Sequence, residues 1–385
     1  MFFSACAGIL VFGIVLAILG AMFGLPAMRE RLQISLAQQG TLILLLYLGI
    51  FVASLVVGPL IDHLGNKLNL LASAFIVAVA MVFFANAHSF AAASGAALLL
   101  GLAGGGLNTC TNVLVSDVYA DDRGPMLNVL GIFFGVGALS IPLMAASIEG
   151  RFTIPQLFLF CAVLATLCAA WYASISFPPP KSKQAFSWSE LLEVAKYESV
   201  LPLAFILFLE SGNEACIAGW TSTYVGREGY STRVATLVLA MYWAALMLSR
   251  VLAARVLQRI GKSQLVISVA ILSAGGAAIL LSARSLIMLF AGTALIGLSY
   301  GPIFPTTLAI AGDRYPDRAG TVFGLLFSIA LIGGMTFPWT VGQLSQHINL
   351  RAGMIVPGVG ALGIVALSLA ILFSGRKSSP LRNAD

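Results

Sequence analysis

Twelve stretches of roughly 20 apolar residues follow one another along this 385-residue chain, near 5–25, 40–61, 68–87, 91–118, 126–148, 155–177, 200–224, 234–256, 264–283, 286–311, 320–343 and 353–374. A helix needs roughly 20 such residues to cross the ~30 Å hydrocarbon core of a bilayer. In lipid every backbone N–H and C=O must be paired, and at this segment length a helix is the form that pairs them internally. Hydrophobic residues make up 59% of the chain and charged residues 9%. About 25% charged is usual for a soluble domain, so the chain reads as an all-α membrane protein with twelve transmembrane helices and no soluble domain. The first stretch lacks a basic leading region and runs on into Gly24-Leu25-Pro26 without a cleavage pattern, so it is expected to be a span and not a cleaved leader.

The stretches form two sets. Asp117-Val118-Tyr119-Ala120-Asp121 returns 196 residues later as Asp313-Arg314-Tyr315-Pro316-Asp317. The same ungapped offset pairs Gly65 with Gly261, Gly105 with Gly301, Thr111 with Thr307, Gly137 with Gly333 and Pro142 with Pro338. These residue types carry backbone or polar roles, unlike chance matches among Leu, Ala and Val. Two pseudo-symmetric six-helix halves are expected: residues 1–177 and 200–375, with a linker at 178–199 and a tail at 376–385. The linker holds Pro178-Pro179-Pro180, Lys181 and Lys183, and Trp188 to Tyr197 within it suits a short amphipathic helix on the membrane surface.

With twelve spans both termini fall on one side. The loops, adjoining helix ends and tail of that side hold 14 of the 21 Lys and Arg residues, and the other side holds 7. The positive-inside rule then places both termini in the cytoplasm of a cell-membrane protein. The net charge of +6 thus follows topology, and no basic cluster interleaved with aromatics suggests nucleic acid. The five cysteines all fall in apolar stretches without ligand spacing or a companion histidine, and read as small packing residues. No metal or cofactor is expected. The three histidines lie far apart near loops, and Gly261-Lys262-Ser263 lacks the preceding glycine of a phosphate-binding loop, which disfavours an enzyme or ATP-driven device.

Between the second and third stretches stands Gly58-Pro59-Leu60-Ile61-Asp62-His63-Leu64-Gly65-Asn66-Lys67. This resembles the loop signature of the major facilitator superfamily. The resemblance implies the major facilitator fold, alternating access and a latching role for Asp62. At the 196 offset the acid is missing: Gln258-Arg259-Ile260-Gly261-Lys262. A narrower likeness runs through Gly104 to Asn112, Leu127-Asn128, Gly135-Val136-Gly137, Gly212-Asn213-Glu214, Gly219-Trp220 and Phe304-Pro305-Thr306. Together these are similar to the fucose:proton symporter family, which implies a sugar-class substrate. The acids which that family carries in helices 1 and 4 are absent, with Met22 and Asn108 near those places.

Ionisable groups deep in a bilayer cost about 2.5–3.5 kcal/mol on insertion scales and persist where they face a cavity or a partner. The seventh stretch has two, Glu210 and Glu214, one turn apart on a shared face. Glu210 lies about 15 Å from the helix start at 1.5 Å per residue, near the midplane. Burial and mutual repulsion predict that one of the two holds a proton, which makes them candidate coupling groups for a proton, with sodium ligation and plain structural bonding as alternatives. No Lys or Arg is expected at their depth to form a simple ion pair. Asn213 and Trp220 extend the same broad face, a polar and aromatic stripe where a substrate site is expected, so Asn213, Glu214 and Trp220 are also candidate substrate contacts.

Amides donate and accept, which suits neutral hydroxyl groups. Asn108 and Asn112, one turn apart in the fourth stretch, are therefore candidate substrate contacts, with interhelical bonding as the plainer reading. Gly101 and Gly105 give the same stretch a small-residue face for close packing. Trp220, Phe304 and Trp339 could stack on a sugar ring, and Gln343 adds an amide one turn beyond Trp339. Asp117, Asp121, Asp313 and Asp317 recur at corresponding helix ends in the two halves, and Asp117 and Asp313 join Asp62 as gating candidates. The leading expectation is a monomeric secondary transporter for a sugar-like solute with a co-transported proton or sodium, surrounded by membrane lipid. A proton-antiport exporter of drugs or organic ions is the nearest alternative. A receptor or binding protein on a transporter scaffold is the alternative of another class.

Overall fold

The computed structural model describes residues 1–119, 122–148, 153–178, 192–257 and 259–377. Asp121, residues 179–191 of the linker, Gln258 and the tail beyond 377 lie outside the described residues. The chain forms α1 (Phe2–Phe23), α2 (Pro26–Leu32), α3 (Leu36–Ala85), α4 (Phe90–Val118), α5 (Arg123–Ile148), α6 (Ile154–Ser174), α7 (Val200–Arg227), α8 (Thr232–Val256), α9 (Lys262–Leu281), α10 (Leu286–Arg314), α11 (Ala319–His347), α12 (Leu350–Gly353) and α13 (Ile355–Lys377). No strand occurs among the described residues.

Among the described residues, eleven helices are long and apolar enough to cross a membrane. One of them, α3, has 50 residues, about 75 Å at 1.5 Å per residue and more than twice a ~30 Å hydrocarbon core. Its backbone leaves the helix at Gly65, with φ 76° and ψ 167°, a region closed to residues with a Cβ. Helix α3 is therefore two spans joined at Gly65, and the twelve apolar stretches each have a span. At the repeat-related Gly261 the backbone is extended, φ −67° and ψ 155°, and the residue caps α9. The same glycine position joins two helices in the first half and starts one in the second.

The repeat also governs how helices begin and end. Helices α4 and α10 have 29 residues each. Their N-caps Ser89 and Ser285 accept from the amides of Ala92 and Met288, and their C-caps are Tyr119 and Tyr315. Ser35 forms a capping box with Gln38 at the start of α3, and Ser231 accepts from the amide of Val234 at the start of α8. A serine hydroxyl at an N-cap pairs one of the amides that the first turn leaves open.

Two compact units make up the chain. Unit 1 comprises Met1–Ala185, Ala215–Ala244 and Met335–Gly353. In it α1 packs on α4, α5 and α6, and α3 packs along α4 and α6. Gly101 and Gly105 both face α3, where a Cβ would strike the backbone of Leu46 and Ile50. Gly137 of α5 sits against the Leu10 carbonyl of α1. Unit 2 comprises Phe186–Glu214, Ala245–Gly334 and Met354–Asp385. Helix α9 packs on α10 and α13, and Gly333 of α11 sits against the Phe208 carbonyl of α7. Leu203, Leu207, Ala311, Val322 and Leu326 form an apolar cluster there. Among lipid tails such contacts gain by close packing, since the tails are as apolar as leucine.

Candidate functional site

Helix α7 carries Glu210, 1% exposed, and Glu214, half-buried, both in unit 2. Arg250 of α8, in the same unit, lies within coulombic range of both carboxylates. This corrects the expectation that no cation reaches their depth. Its backbone belongs near the end of α8, but an arginine stem lies along apolar surface and carries its head several ångströms from its own Cα. The stem is seated against α10: a Cβ at Gly301 would be 3.3 Å from Arg250 Cγ. Helices α7, α8 and α10 thus converge on two acids and one guanidinium. A set of this kind can hold and release a proton, because a buried ion pair that loses one partner's charge leaves the other uncompensated. Glu210 Oε1 has no hydrogen-bond partner among the described residues.

Asn213, also in unit 2, is fully buried on another side of α7. Its amide faces α13, where a Cβ at Gly360 would overlap it, and neither amide atom has a partner among the described residues. Phe304 is half-buried and tilts against Phe327 of α11 with ring centroids 5.2 Å apart. Asp313 is exposed and pairs with Lys262 at 2.5 Å. Beside it Arg314 donates to the Ser199 hydroxyl, and the Tyr315 ring lies against Tyr197.

The other candidates belong to unit 1. Asn112 Nδ2 donates to Asn108 Oδ1 at 3.0 Å and to the Asn108 carbonyl at 2.8 Å. The two amides are therefore joined, and both are half-buried. Trp220 is fully buried, and its Nε1 donates to the carbonyl of Pro338 at 3.1 Å. Trp339 is 41% exposed, with its backbone against Gly40 of α3, and Gln343 is half-buried one turn on. Asp62 is half-buried just ahead of the break at Gly65, and Asp117 is half-buried near the end of α4.

Unit 1 also holds a joint that the sequence reading did not single out. At the Phe23 end of α1, hereafter the distal end, α1 and α3 meet the later part of α7 and of α11. Gln39 Nε2 of α3 donates to Thr223 Oγ1 of α7 at 2.9 Å. The Ser222 hydroxyl donates to the carbonyl of Gly20. The backbone amide of Leu36 donates to Gln346 Oε1 at 3.2 Å. In the sequence the signal is slight: a glutamine in the first turn of one span, and a Ser-Thr pair near the end of another.

The family model described as Major Facilitator Superfamily matches residues 5–338 and 203–384. The chain is 23% identical over 325 residues to the Uncharacterized MFS-type transporter YfkL of Bacillus subtilis (strain 168), covering 80% of each chain. It is 24% identical over 295 residues to the Glucose/mannose transporter GlcP of the same organism, covering 71% of each. Among solved structures, a D-xylose-proton symporter superposes with a TM-score of 0.78 at 12% identity, over 96% of this chain and 95% of that one.

Proposed function

The chain belongs to the major facilitator superfamily, and on that premise we propose that it is a secondary active transporter for a small neutral polyhydroxylated solute, hexose-like, coupled to a proton through Glu214 and Glu210. The observation that carries the coupling is the acid pair with Arg250. Two carboxylates and one guanidinium sum to −1, so a single proton makes the set neutral and cheap to keep away from water. A ligand drives a conformational equilibrium only through different affinities for the two states. A proton that binds where one state shields the set and the other hydrates it has that difference. In this reading the solute and the proton bind from outside, the halves 1–177 and 200–375 rock, and release inside lets the empty carrier return. The chain works as a monomer in the cell membrane with both termini in the cytoplasm. Asp62, Asp117 and Asp313 serve the gates.

The sugar class is supported by the named substrate of the glucose/mannose relative and by amides suited to hydroxyl groups at Asn108 and Asn112. Counterflow into proteoliposomes with a panel of labelled sugars, repeated under a pH gradient and a sodium gradient, tests it. Uptake of at least one sugar, accumulated under the pH gradient, is expected; no uptake of any sugar under any gradient sinks the proposal. Glu214→Gln is expected to abolish proton-driven accumulation while keeping counterflow. If both survive, Glu214 is not the coupling group.

A further inference from the structure

We infer that the Gln39–Thr223 hydrogen bond is the latch of the distal joint, and that it is built to be incomplete, so that the joint can open at little cost. The inference rests on the alternating-access reading above. The latch spans 184 residues of sequence and ties the first repeat to the second within unit 1. Gln39 is 1% exposed and Thr223 fully buried. Around them the joint is tight. Gly20 sits on the Ala218 carbonyl, and a Cβ at Gly40 would be 2.9 Å from the Pro338 carbonyl and 3.2 Å from Gly342 Cα.

Two features oppose this closure. Gln39 Oε1 is buried and has no hydrogen-bond partner among the described residues. Exchanging the amide's oxygen and nitrogen leaves the same shortfall of one group. Arg227 ends α7 one turn beyond Thr223, and it lies within coulombic range of Arg29 of α2, a like charge. Burial and then Arg227 hold the Arg29 guanidinium below its usual basicity, against an opposing pull from Glu30. Opening the joint hydrates the glutamine and separates the arginines.

The two partners are not equivalent. Threonines in these helices bond back to their own backbone, as Thr221 does to the Ile217 carbonyl at 2.6 Å and Thr236 to the Thr232 carbonyl at 2.9 Å. Thr223 can do likewise if Gln39 is removed. A glutamine left behind by Thr223→Val has both amide ends unpaired in the closed joint. Leaving a buried polar group unmade is costly, whereas removing the group is close to neutral. The two ends of one bond should therefore push the joint in opposite directions.

Spin labels on Ala27→Cys and Arg233→Cys, both exposed and both in unit 1, report the joint by pulsed dipolar spectroscopy in lipid nanodiscs without substrate or gradient. The five native cysteines are buried and are not expected to label. Thr223→Val should raise the ratio of long to short distances about fivefold or more over the parent. Gln39→Leu should lower it, and Gln39→Leu/Thr223→Val should follow Gln39→Leu. An unchanged distribution in Thr223→Val, or opening by Gln39→Leu, overturns the latch. If Thr223→Val does not fold, Gln39→Leu still decides, since an ordinary stabilising bond predicts opening and the incomplete latch predicts closing. The readout needs no transport, so failure of sugar uptake leaves the latch standing, and a latch that fails leaves the transport reading to its own assay.

Discussion

Helices α1 and α7 hold the same place in the two repeats and bury opposite chemistry. Each is crossed by a partner helix at a repeat-related glycine, Gly137 on the Leu10 carbonyl and Gly333 on the Phe208 carbonyl. Yet the 196 offset sets Ile14 against Glu210, Ile18 against Glu214 and Ser54 against Arg250. The charged set is missing from the first half as a whole: both isoleucines are buried, and Ser54 bonds back to the Phe51 carbonyl at 2.7 Å. The crossing is fixed by backbone approach at a small residue, so side chains turned elsewhere are free to diverge. The template holds the helices in place, and the asymmetry carries the chemistry.

The comparison breaks first at Arg250. Arg250→Met leaves the buried Glu210 and the half-buried Glu214 without its counter-charge and should lower stability by about 3–5 kcal/mol. Adding Glu210→Gln, which removes the more deeply buried of the two acids, should restore most of the loss, read as thermal unfolding in detergent. Equal loss in the single and double variants would mean that the three groups are not one set. Gly333→Val and Gly137→Val should each cost about 1–3 kcal/mol by overpacking, and by similar amounts, because each new Cβ meets a carbonyl that cannot step aside. A large loss at one glycine alone would show that the crossings are not equivalent. The smallest effect belongs to the caps. Ser89→Ala and Ser285→Ala should each cost about 1 kcal/mol, seen as faster amide exchange in the first turns of α4 and α10.

Much of the fold was legible because lipid restricts what a chain can do. Twelve apolar stretches became twelve spans, and Gly65 breaks α3 where the loop signature had placed a turn. Ser35, Ser89, Ser231 and Ser285 follow the same offset, but a serine marks a cap only once the helix start beside it is known, because the same hydroxyl can equally bond back to its own helix. The site was legible in part. The helical spacing of Glu210 and Glu214 was enough to put them on one face, but depth counted along a helix axis misplaces Arg250, whose head does not lie at the level of its Cα. Asn213 shows a different limit. It is near Glu214 in sequence, but α13 takes that side of α7, and which helix covers which side is a tertiary fact. Gln39 and Thr223 meet across most of half the chain, and no local pattern announces such a pair.

The matched lengths of α4 and α10 bear on how the protein sits in its bilayer. At 1.5 Å per residue each runs about 44 Å, longer than the ~30 Å hydrocarbon layer and close to the full thickness with headgroups. In an upright helix of that length, the serine that starts it and the tyrosine that ends it would reach headgroup depth. A lipid mixture that is thinner or thicker imposes the same hydrophobic mismatch on both, at a fraction of a kcal/mol per ångström. Neither repeat is asked to tilt more than the other by this pair, and membrane thickness becomes a shared load on the two halves.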